Sequence, residues 1–141
     1  RYIPYVVEPS VGVERMMLAI LFSAYDEEAL ENGDTRTVLH LAPHLAPYSV
    51  AVLPLIKKVH QAKAYEVYDM LASHFSCVYD EAQAIGKRYR RQDAIGTPFV
   101  ICVDDNTINN NTVTIRLRDS MEQITLSLDE VVSYIEKGLE F

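Results

Sequence analysis

The six residues PFVICV, at positions 98–103, constrain the fold of this chain more than any other feature. A run of this length without a charged side chain predicts a β-strand that is covered by protein on both faces. Strands of that kind occur mainly in sheets that carry helices on either side. The run therefore predicts an α/β domain with this strand at the centre of its sheet.

The sequence around this strand alternates between strand and helix patterns. From residue 48 onward the periodicity predicts the order β-α-β-α-β-β-β-α, a mixed five-stranded sheet flanked by helices. Residues 106–111 are predicted to form a loop, and Ser127-Leu128-Asp129-Glu130 matches a capping box. Strands are predicted at 49–53, 76–79, 98–103, 113–118 and 124–126, and helices at 57–75, 86–95 and from about 128 onward.

The first 42 residues follow a different pattern. Residues 2–7 are β-branched and aromatic, which predicts a strand, and residues 13–25 predict a helix that is apolar all round. Such a helix needs cover from other protein on several faces. Residues 26–37 are polar and contain Asn32-Gly33-Asp34, which predicts an exposed excursion with a turn. The segment with Pro43 and Pro47 is predicted to be a linker or domain boundary.

The distribution of charge is uneven. The net charge of −7 argues against nucleic acid, and DNA in particular, as a partner. Residues 85–96, IGKRYRRQDAIG, are an exception: four basic side chains and one carboxylate give +3 there and leave −10 elsewhere. The sequence thus predicts one small basic patch on an acidic body. The purely structural interpretation of such a run is a helix face that is exposed to solvent.

Other simple features exclude several classes of protein. No apolar run reaches the roughly 18–20 residues that cross a bilayer, so we expect a soluble protein without a membrane contact. The cysteine usage fits a reducing cytoplasm. Cys77 and Cys102 lack the paired spacing of a zinc site and are expected to be reduced, buried side chains. Pro43 interrupts any helix that would place His40 and His44 on one face, so no metal site is predicted.

The stretch EPSVGVERMML, at residues 8–18, places polar groups at the start of the apolar helix. Ser10 can act as a helix cap, and Glu8 interacts favourably with the helix dipole. Arg15 needs an anionic partner on an apolar helix. Glu8 or Glu14 could pair with it structurally, and a nucleotide phosphate is the functional alternative.

This stretch resembles motif 3 of the class II aminoacyl-tRNA synthetases, a strand that leads into a helix with an early arginine. Glu-Pro-Ser in front of that helix resembles glycyl-tRNA synthetases of the homodimeric type in particular. The general class pattern has more glycines where Pro9-Ser10 stand here. Three later stretches agree with the same family: APYSVAVLPL from Ala46, GKRYRRQDAIGTPF from Gly86 and TVTIRLRDSMEQ from Thr112.

The resemblance implies roles for the N-terminal residues. Arg15 would be the catalytic residue that binds the ATP phosphates, with Gly12 beside the nucleotide. Glu8 would pair with the ammonium group of glycine, and Ser10 would help to hold it. ATP with Mg²⁺ is expected in a full-length parent, and none is expected to be bound to this chain alone. This chain by itself is expected to be inactive, because motifs 1 and 2 do not occur in it.

The resemblance also implies that residues 43–141 form an anticodon-binding domain and residues 1–42 the C-terminal end of a class II catalytic domain. The basic run would contact the anticodon loop through phosphates, base edges and one stacking ring. Arg116 and Arg118, on the polar face of their strand, are weaker candidates for that surface. The expected tRNA contacts are Lys87, Arg88, Tyr89, Arg90, Arg91, Arg116 and Arg118.

The expected function is therefore that of the C-terminal part of a glycine-tRNA ligase, with glycine tRNA as partner and a homodimeric parent. The main alternative is a non-catalytic relative, such as the accessory subunit of a mitochondrial DNA polymerase. Retention of Glu8, Ser10 and Arg15 together argues against that alternative. A small independent α/β enzyme is disfavoured because the sequence has no phosphate loop, nucleophile elbow or metal-ligand cluster.

Overall fold

The structure is a computed structural model that describes residues 1–30 and 33–140. Asn32, the first residue of the predicted Asn-Gly-Asp turn, lies outside the described residues. The elements in chain order are α1 (Val13–Ala24), β1 (Tyr25–Ala29), β2 (Thr35–Leu39), a 3₁₀ turn (Pro43–Leu45), β3 (Val50–Pro54), α2 (Lys57–Ala72), β4 (Cys77–Tyr79), α3 (Ile85–Ile95), β5 (Phe99–Val103), α4 (Asp105–Asn110), β6 (Thr112–Leu117), β7 (Gln123–Ser127) and α5 (Leu128–Leu139).

The main sheet has five strands in the order β4-β3-β5-β6-β7. Strands β4, β3 and β5 are parallel, and β6 and β7 continue the sheet in antiparallel fashion. Strand β5 lies between β3 and β6, and every one of its residues is buried. The prediction of a mixed sheet with this strand at its centre is confirmed.

Helices cover the two faces of the sheet unequally. One face packs Val52, Ile101 and Ile115 against α2 and α5 and forms the larger hydrophobic core. The other face packs Ala51, Leu53 and Val100 against Ile85 and Tyr89, both on α3. Because β6 and β7 extend beyond α3, the half of this second face that carries Thr114 and Gln123 is left partly open.

In the N-terminal segment, the strand predicted at residues 2–7 is wrong, and the helix predicted at residues 13–25 is confirmed. Residues 1–12 form neither helix nor strand and are exposed, since they have no neighbouring strand to pair with among the described residues. Helix α1 forms as predicted, but Ala24 is its only buried residue. The described residues therefore do not supply the cover on several faces that was predicted for this apolar helix, and that cover would have to come from other protein.

The predicted polar excursion at residues 26–37 is also wrong. Strands β1 and β2 form an antiparallel hairpin, with Asp26 opposite Val38 and Glu28 opposite Arg36. Its second strand alternates between exposed and buried residues, and Arg36 and Val38 are fully buried. The polar composition did not predict this strand, because its inner face carries Arg36 beside the apolar Val38.

Two local predictions in the C-terminal half need correction. Residues 105–110 form α4 instead of a loop, because Asp104 and Thr107 build a reciprocal capping box at its start. The capping box predicted at Ser127 is absent: Ser127 occupies the N-cap of α5, but its side chain makes no cap hydrogen bond. Its backbone is held by pairing with Thr112 in the sheet instead. None of the described helices combines the length and apolarity needed to cross a membrane.

Candidate functional site

The residues predicted to bind glycine and ATP lie together at the start of α1. Glu8, Ser10 and Gly12 are exposed, and Arg15 follows in the first turn of the helix, also exposed. Arg15 makes no ion pair with any described residue, so the alternative of a structural salt bridge to Glu8 or Glu14 finds no support. The sequence places these four groups on one short segment, and their roles stay predictions.

Helix α1 also forms one wall of an apolar groove of about 400 Å³. The other wall comes from the segment after the hairpin, which the sequence predicted to be a linker. The groove is lined by Val13, Met16, Met17, Ile20, Leu21, Leu41, Leu45 and Pro47.

Helix α3 carries the basic run, and its faces separate those side chains into two groups. Arg88 is only 5 % exposed, on the same side as the buried Gln92 and Asp93. Its guanidinium donates to the Gln83 carbonyl through Nε (3.0 Å) and Nη2 (2.6 Å) and to the Pro54 carbonyl through Nη1. Arg88 thus joins the ends of β3 and α3, and it does not lie on the exposed surface that the sequence suggested.

The outer face of α3 carries the remaining cations. Lys87 is exposed, Arg90 is half-buried, and neither forms an ion pair within the described ranges. Arg91 donates to Asp80 Oδ2 at 2.9 Å from Nε and 2.6 Å from Nη2, and to the Ala82 carbonyl at 2.7 Å. Lys87 and Arg90 are therefore the cations of this helix whose charge is available to a ligand.

Arg90 and Arg91 also line a groove between α3 and the hairpin. Its volume is about 320 Å³, and Thr35 and Thr37 of β2 line its other side together with Asp34. One Asp34 carboxylate oxygen accepts the backbone N–H of Thr35 at 2.9 Å. No local pattern indicates that the hairpin lies beside the basic helix, because the residues that line this groove are more than 50 positions apart.

Beneath α3 lies a buried ionic cluster centred on Asp93. Arg36 Nε donates to Asp93 Oδ2 at 2.9 Å, and Arg116 donates to both carboxylate oxygens, at 2.8 and 3.1 Å. The side chains of Arg36 and Asp93 are 0 % exposed. Arg36 also donates to Glu28 and to the carbonyl of Arg118. All these groups are satisfied by one another, as burial of charge requires.

Arg116 and Arg118 are therefore structural side chains in this fold, which corrects the expectation that they lie on an exposed polar face. Arg116 is 6 % and Arg118 is 2 % exposed. Arg118 donates to the Gly96 carbonyl at 2.8 Å and to Asp119 at 2.7 and 2.8 Å. The strand alternation was predicted correctly, but α3 and the hairpin cover the polar face of β6 at this end.

Asp119 extends the cluster to the hairpin through His40. The ring nitrogen Nδ1 of His40 lies 2.6 Å from Asp119 Oδ1, and Nε2 lies 3.0 Å from Glu28 Oε1. Asp26 Oδ2 is 4.0 Å from the same Nε2, and the three groups of Asp26, Glu28 and His40 lie within 4.8 Å of one another. The His40 imidazole thus lies among three carboxylates, and its contacts join the hairpin to the turn after β6.

This arrangement predicts a pH dependence of stability. Partial burial alone would raise the pKa of Asp119, but hydrogen bonds from Arg118 and His40, and their charges, outweigh it and lower the pKa below its usual value of 3.8. A carboxyl whose pKa is lower in the folded state contributes stability that is complete above its unfolded value and is lost as pH falls through the folded one. Below about pH 4, the free energy of unfolding should therefore fall less for Asp119→Asn than for wild type. Urea titration at each pH measures this difference. Asp129→Asn, at an exposed position of α5, should behave like wild type. Equal acid sensitivity of all three proteins would contradict the assignment.

A small pocket lies at the edge of the sheet where parallel strands end. Its volume is about 310 Å³, and it opens beside α3 over the uncovered part of β6 and β7. The Tyr89 ring is half-buried in its wall, with the Arg116 guanidinium 5.1 Å from the ring centre. Burial raises the pKa of Tyr89 and of Cys102, so both stay protonated near neutral pH. The lining residues are Leu55, Ile85, Tyr89, Cys102, Asp104, Thr114 and Gln123.

In α/β sheets, ligands bind outside the carboxyl ends of parallel strands, where the strand order reverses. Here the chain leaves β3 for β4 on one side and returns to β5 on the other, so that point lies at the end of β3. Leu55 follows β3, and Asp104 follows β5. The pocket and the cationic face of α3 together make this edge the candidate binding site of the domain.

This fold matches a known class, the anticodon-binding domains of class II aminoacyl-tRNA synthetases. The family described as Anticodon binding domain matches residues 49–138, and the chain belongs to it. The RNA-binding domain of threonyl-tRNA synthetase from Cryptosporidium parvum Iowa II superposes with a TM-score of 0.64 at 25 % identity, covering 70 % of this chain and 25 % of that one. Prolyl-tRNA synthetase from the same organism gives a TM-score of 0.65 at 23 % identity, covering 80 % and 31 %.

Particular relatives within that class are glycine–tRNA ligases. The sequence is 56 % identical over 141 residues to the enzyme of Clostridium tetani (strain Massachusetts / E88) and 53 % identical to that of Geobacillus thermodenitrificans (strain NG80-2). Each alignment covers all of this chain and 30 % of the relative. The chain thus spans about a third of the length of these relatives, and the predicted resemblance to glycyl-tRNA synthetases is confirmed.

Proposed function

We propose that this chain binds the anticodon loop of glycine tRNA and that its parent joins glycine to that tRNA. One observation carries the proposal: an acidic chain of the anticodon-binding family has two cations on the outer face of one helix, Lys87 and Arg90, that form no ion pair with any described residue. Cations without a protein partner on such a chain have no structural purpose that the described contacts reveal. Phosphates of an RNA loop would supply the missing charge.

The proposed RNA surface is narrower than the sequence suggested. Lys87 and Arg90 would contact phosphates directly. Arg91 is held by Asp80, Ala82 and Gln83 and would contribute to the same surface from its edge. Arg88, Arg116 and Arg118 would support this surface from beneath. Tyr89 would contribute a pocket wall, because its ring is already covered in part by Arg116.

The parent would carry out a two-step reaction. Glycine would attack the α-phosphate of ATP, releasing pyrophosphate, and the activated glycyl group would then pass to the 3′ end of the tRNA. Arg15 and Gly12 would bind ATP, Glu8 would pair with the ammonium of glycine, and Ser10 would donate a hydrogen bond to the substrate. Mg²⁺ at such sites is held by substrate phosphates and a few carboxylates, so Arg15 would hold ATP and not the metal.

Three further properties of the parent belong to the same proposal. It would be a homodimer and work in the cytoplasm. Its chain would divide near residue 42, between the end of the catalytic domain and the anticodon-binding domain. Because Arg36 binds Asp93, however, the hairpin would contribute to the stability of the second domain as well.

The direct test is binding of this chain to an RNA hairpin that carries the anticodon loop of glycine tRNA. We expect Arg90→Ala to weaken binding about three- to tenfold, since one charged contact is lost. The slope of log K against log salt should become shallower by about 0.7–0.9, as one released counterion predicts.

Lys58→Ala is the matched control, because Lys58 is exposed on α2, on the opposite face of the sheet, and carries the same charge. It should leave both affinity and slope unchanged. Equal effects of the two substitutions would mean that binding depends only on net charge, and the proposed surface would be abandoned.

A further inference from the structure

The hairpin carries a cluster of metal-ligating side chains that the proposed RNA surface does not use. Asp26 and Glu28 are two residues apart on β1, so both side chains lie on one face of the hairpin. His40 directly follows β2, and its backbone N–H donates to the Ala24 carbonyl at 2.7 Å, which extends the pairing and places His40 on the same face. The sequence predicted no metal site from the spacing of His40 and His44, because the residues that meet His40 lie on a different strand.

The distances in this cluster fit a small divalent ion. His40 Nε2 lies 3.0 Å from Glu28 Oε1 and 4.0 Å from Asp26 Oδ2, and one ligand atom from each residue lies within 4.8 Å of the others. Zinc bonds of about 2.0–2.2 Å at tetrahedral angles place neighbouring ligand atoms about 3.3–3.6 Å apart. The two distances from Nε2 lie on either side of that range. The cluster is therefore close to the geometry of three protein ligands with one open position.

Both carboxylates have one oxygen held and the other directed at the imidazole. Asp26 Oδ1 accepts the backbone N–H of Glu27 at 2.8 Å, and Oδ2 faces His40. Glu28 Oε2 accepts from Arg36 Nη1 at 2.8 Å, and Oε1 faces His40. Partners of this kind orient metal ligands before the ion arrives.

The imidazole of His40 is oriented in the same way. Its Nδ1 lies 2.6 Å from Asp119 Oδ1, and because an ionised carboxylate can only accept, Nδ1 carries the hydrogen. Arg118 holds Asp119 in turn through hydrogen bonds of 2.7 and 2.8 Å. A histidine that donates one ring nitrogen to a carboxylate and offers the other to an ion is the usual arrangement at zinc sites.

The second ring nitrogen of His40 needs a positive charge beside it. With the hydrogen on Nδ1, a neutral ring directs the Nε2 lone pair at the Glu28 carboxylate, 3.0 Å away. A proton on Nε2 would satisfy that one contact, whereas a divalent ion would bind the ring nitrogen and both carboxylates at once. The side chain of Asp26 is 59 % exposed, so an ion can reach the cluster from solvent.

We propose that Asp26, Glu28 and His40 bind a divalent cation of the zinc type. Asp119 positions His40 from the other side of the ring. A nitrogen ligand beside two oxygens favours Zn²⁺ over Mg²⁺ and Ca²⁺, which take oxygen ligands. The ion joins β1 to the end of β2 and, through Asp119, to the turn after β6, so its role is to stabilise the hairpin against the domain. The proposal is independent of the proposed RNA binding.

Calorimetric titration of this chain with Zn²⁺, after treatment with a chelator, tests the site. Wild type should bind one ion, and Asp26→Asn should bind it at least about tenfold more weakly, because one charged ligand is lost. Asp26 is an exposed side chain, and Asn keeps the oxygen that accepts from Glu27, so the fold is retained. Excess Zn²⁺ should raise the urea concentration at which wild type unfolds, and should raise it less in Asp26→Asn.

Glu27→Gln is the matched control. It removes the same charge one residue away, on the opposite face of β1, and keeps an oxygen that can accept from the Tyr25 hydroxyl. It should bind Zn²⁺ as tightly as wild type. Equal affinity of wild type and Asp26→Asn would place the ion elsewhere, and equal affinity of wild type for Mg²⁺ would remove the role of His40. Failure of wild type to bind Zn²⁺ would mean that a proton on His40 alone balances the carboxylates. Each of these three results overturns the proposal.

Discussion

Replacing Asp93 by Ala is expected to lower the free energy of unfolding by about 3–5 kcal/mol, because two buried guanidinium groups lose their shared counter-charge. Arg36 and Arg116 reach this carboxylate from two different strands, β2 and β6, and both side chains are buried. Urea unfolding of wild type and variant measures the difference. Asp93→Asn, which keeps the volume and removes the charge, should cost nearly as much.

A surface ion pair supplies the comparison. Lys63 and Glu66 lie one turn apart on α2 with an N–O distance of 3.0 Å, and Glu66 is largely exposed. Lys63→Ala should change stability by about 0.5 kcal/mol or less. A loss below about 1 kcal/mol for Asp93→Ala would mean that the two arginines find other partners, and the cluster would lose its structural importance.

The second large effect is expected at Gly96, the residue that ends α3. Its backbone is left-handed, with φ +83°, and a Cβ there would lie 3.0 Å from the Leu39 carbonyl oxygen and 3.0 Å from Leu41 Cδ1. Gly96→Ala combines backbone strain with a tight contact against the backbone at the end of β2. We expect a loss of about 2–3 kcal/mol, measured by urea unfolding.

Gly86, at the other end of the same helix, is the matched control. A Cβ at that position meets no atom within 4 Å, and its backbone is helical. Gly86→Ala should therefore leave stability unchanged or raise it by up to about 1 kcal/mol. Similar effects at the two glycines would show that helix propensity alone, and not the packing of α3 against the hairpin, decides the outcome.

Both predictions concern the contact between the hairpin and α3. Arg36 and Leu39 belong to β2, outside the residues that match the anticodon-binding family, whereas Asp93 and Gly96 lie within them. The hairpin therefore stabilises the domain that carries the proposed RNA surface. The family match begins at residue 49, and the proposed division of the chain near residue 42 would separate ionic partners in the folded protein.

The sequence alone could have divided the candidate RNA residues of α3 into a buried group and an exposed group. On a helix, positions 85, 88 and 89 share one face, and 87, 90 and 91 share another. Ile85 marks the first face as the buried one, which predicts that Arg88 is internal. No local pattern predicts that Arg116 and Arg118 are buried. Strand alternation assigns residues to two faces, but it does not indicate which other element covers each face.

The pocket residues were missed for a similar reason. Asp104, Thr114 and Gln123 come from the end of β5, from β6 and from β7. None of the three belongs to a motif, and only the register of the sheet brings them to one edge. Asp104 had a detectable role as the cap of α4, but the Asn-rich stretch after it resembles a loop in composition.

The sequence by itself determined the α/β class, the central position of β5, the helices α1, α2, α3 and α5, and the resemblance to glycyl-tRNA synthetases. Those properties depend on local periodicity and on short motifs, which a single chain displays directly. Only the tertiary structure decided that β1 and β2 form a hairpin, that Arg36, Arg88, Arg116 and Arg118 are buried, and that a polar pocket opens beside Tyr89. Those properties depend on which distant segments meet, since a charged side chain is internal or external according to the partner that folding brings to it.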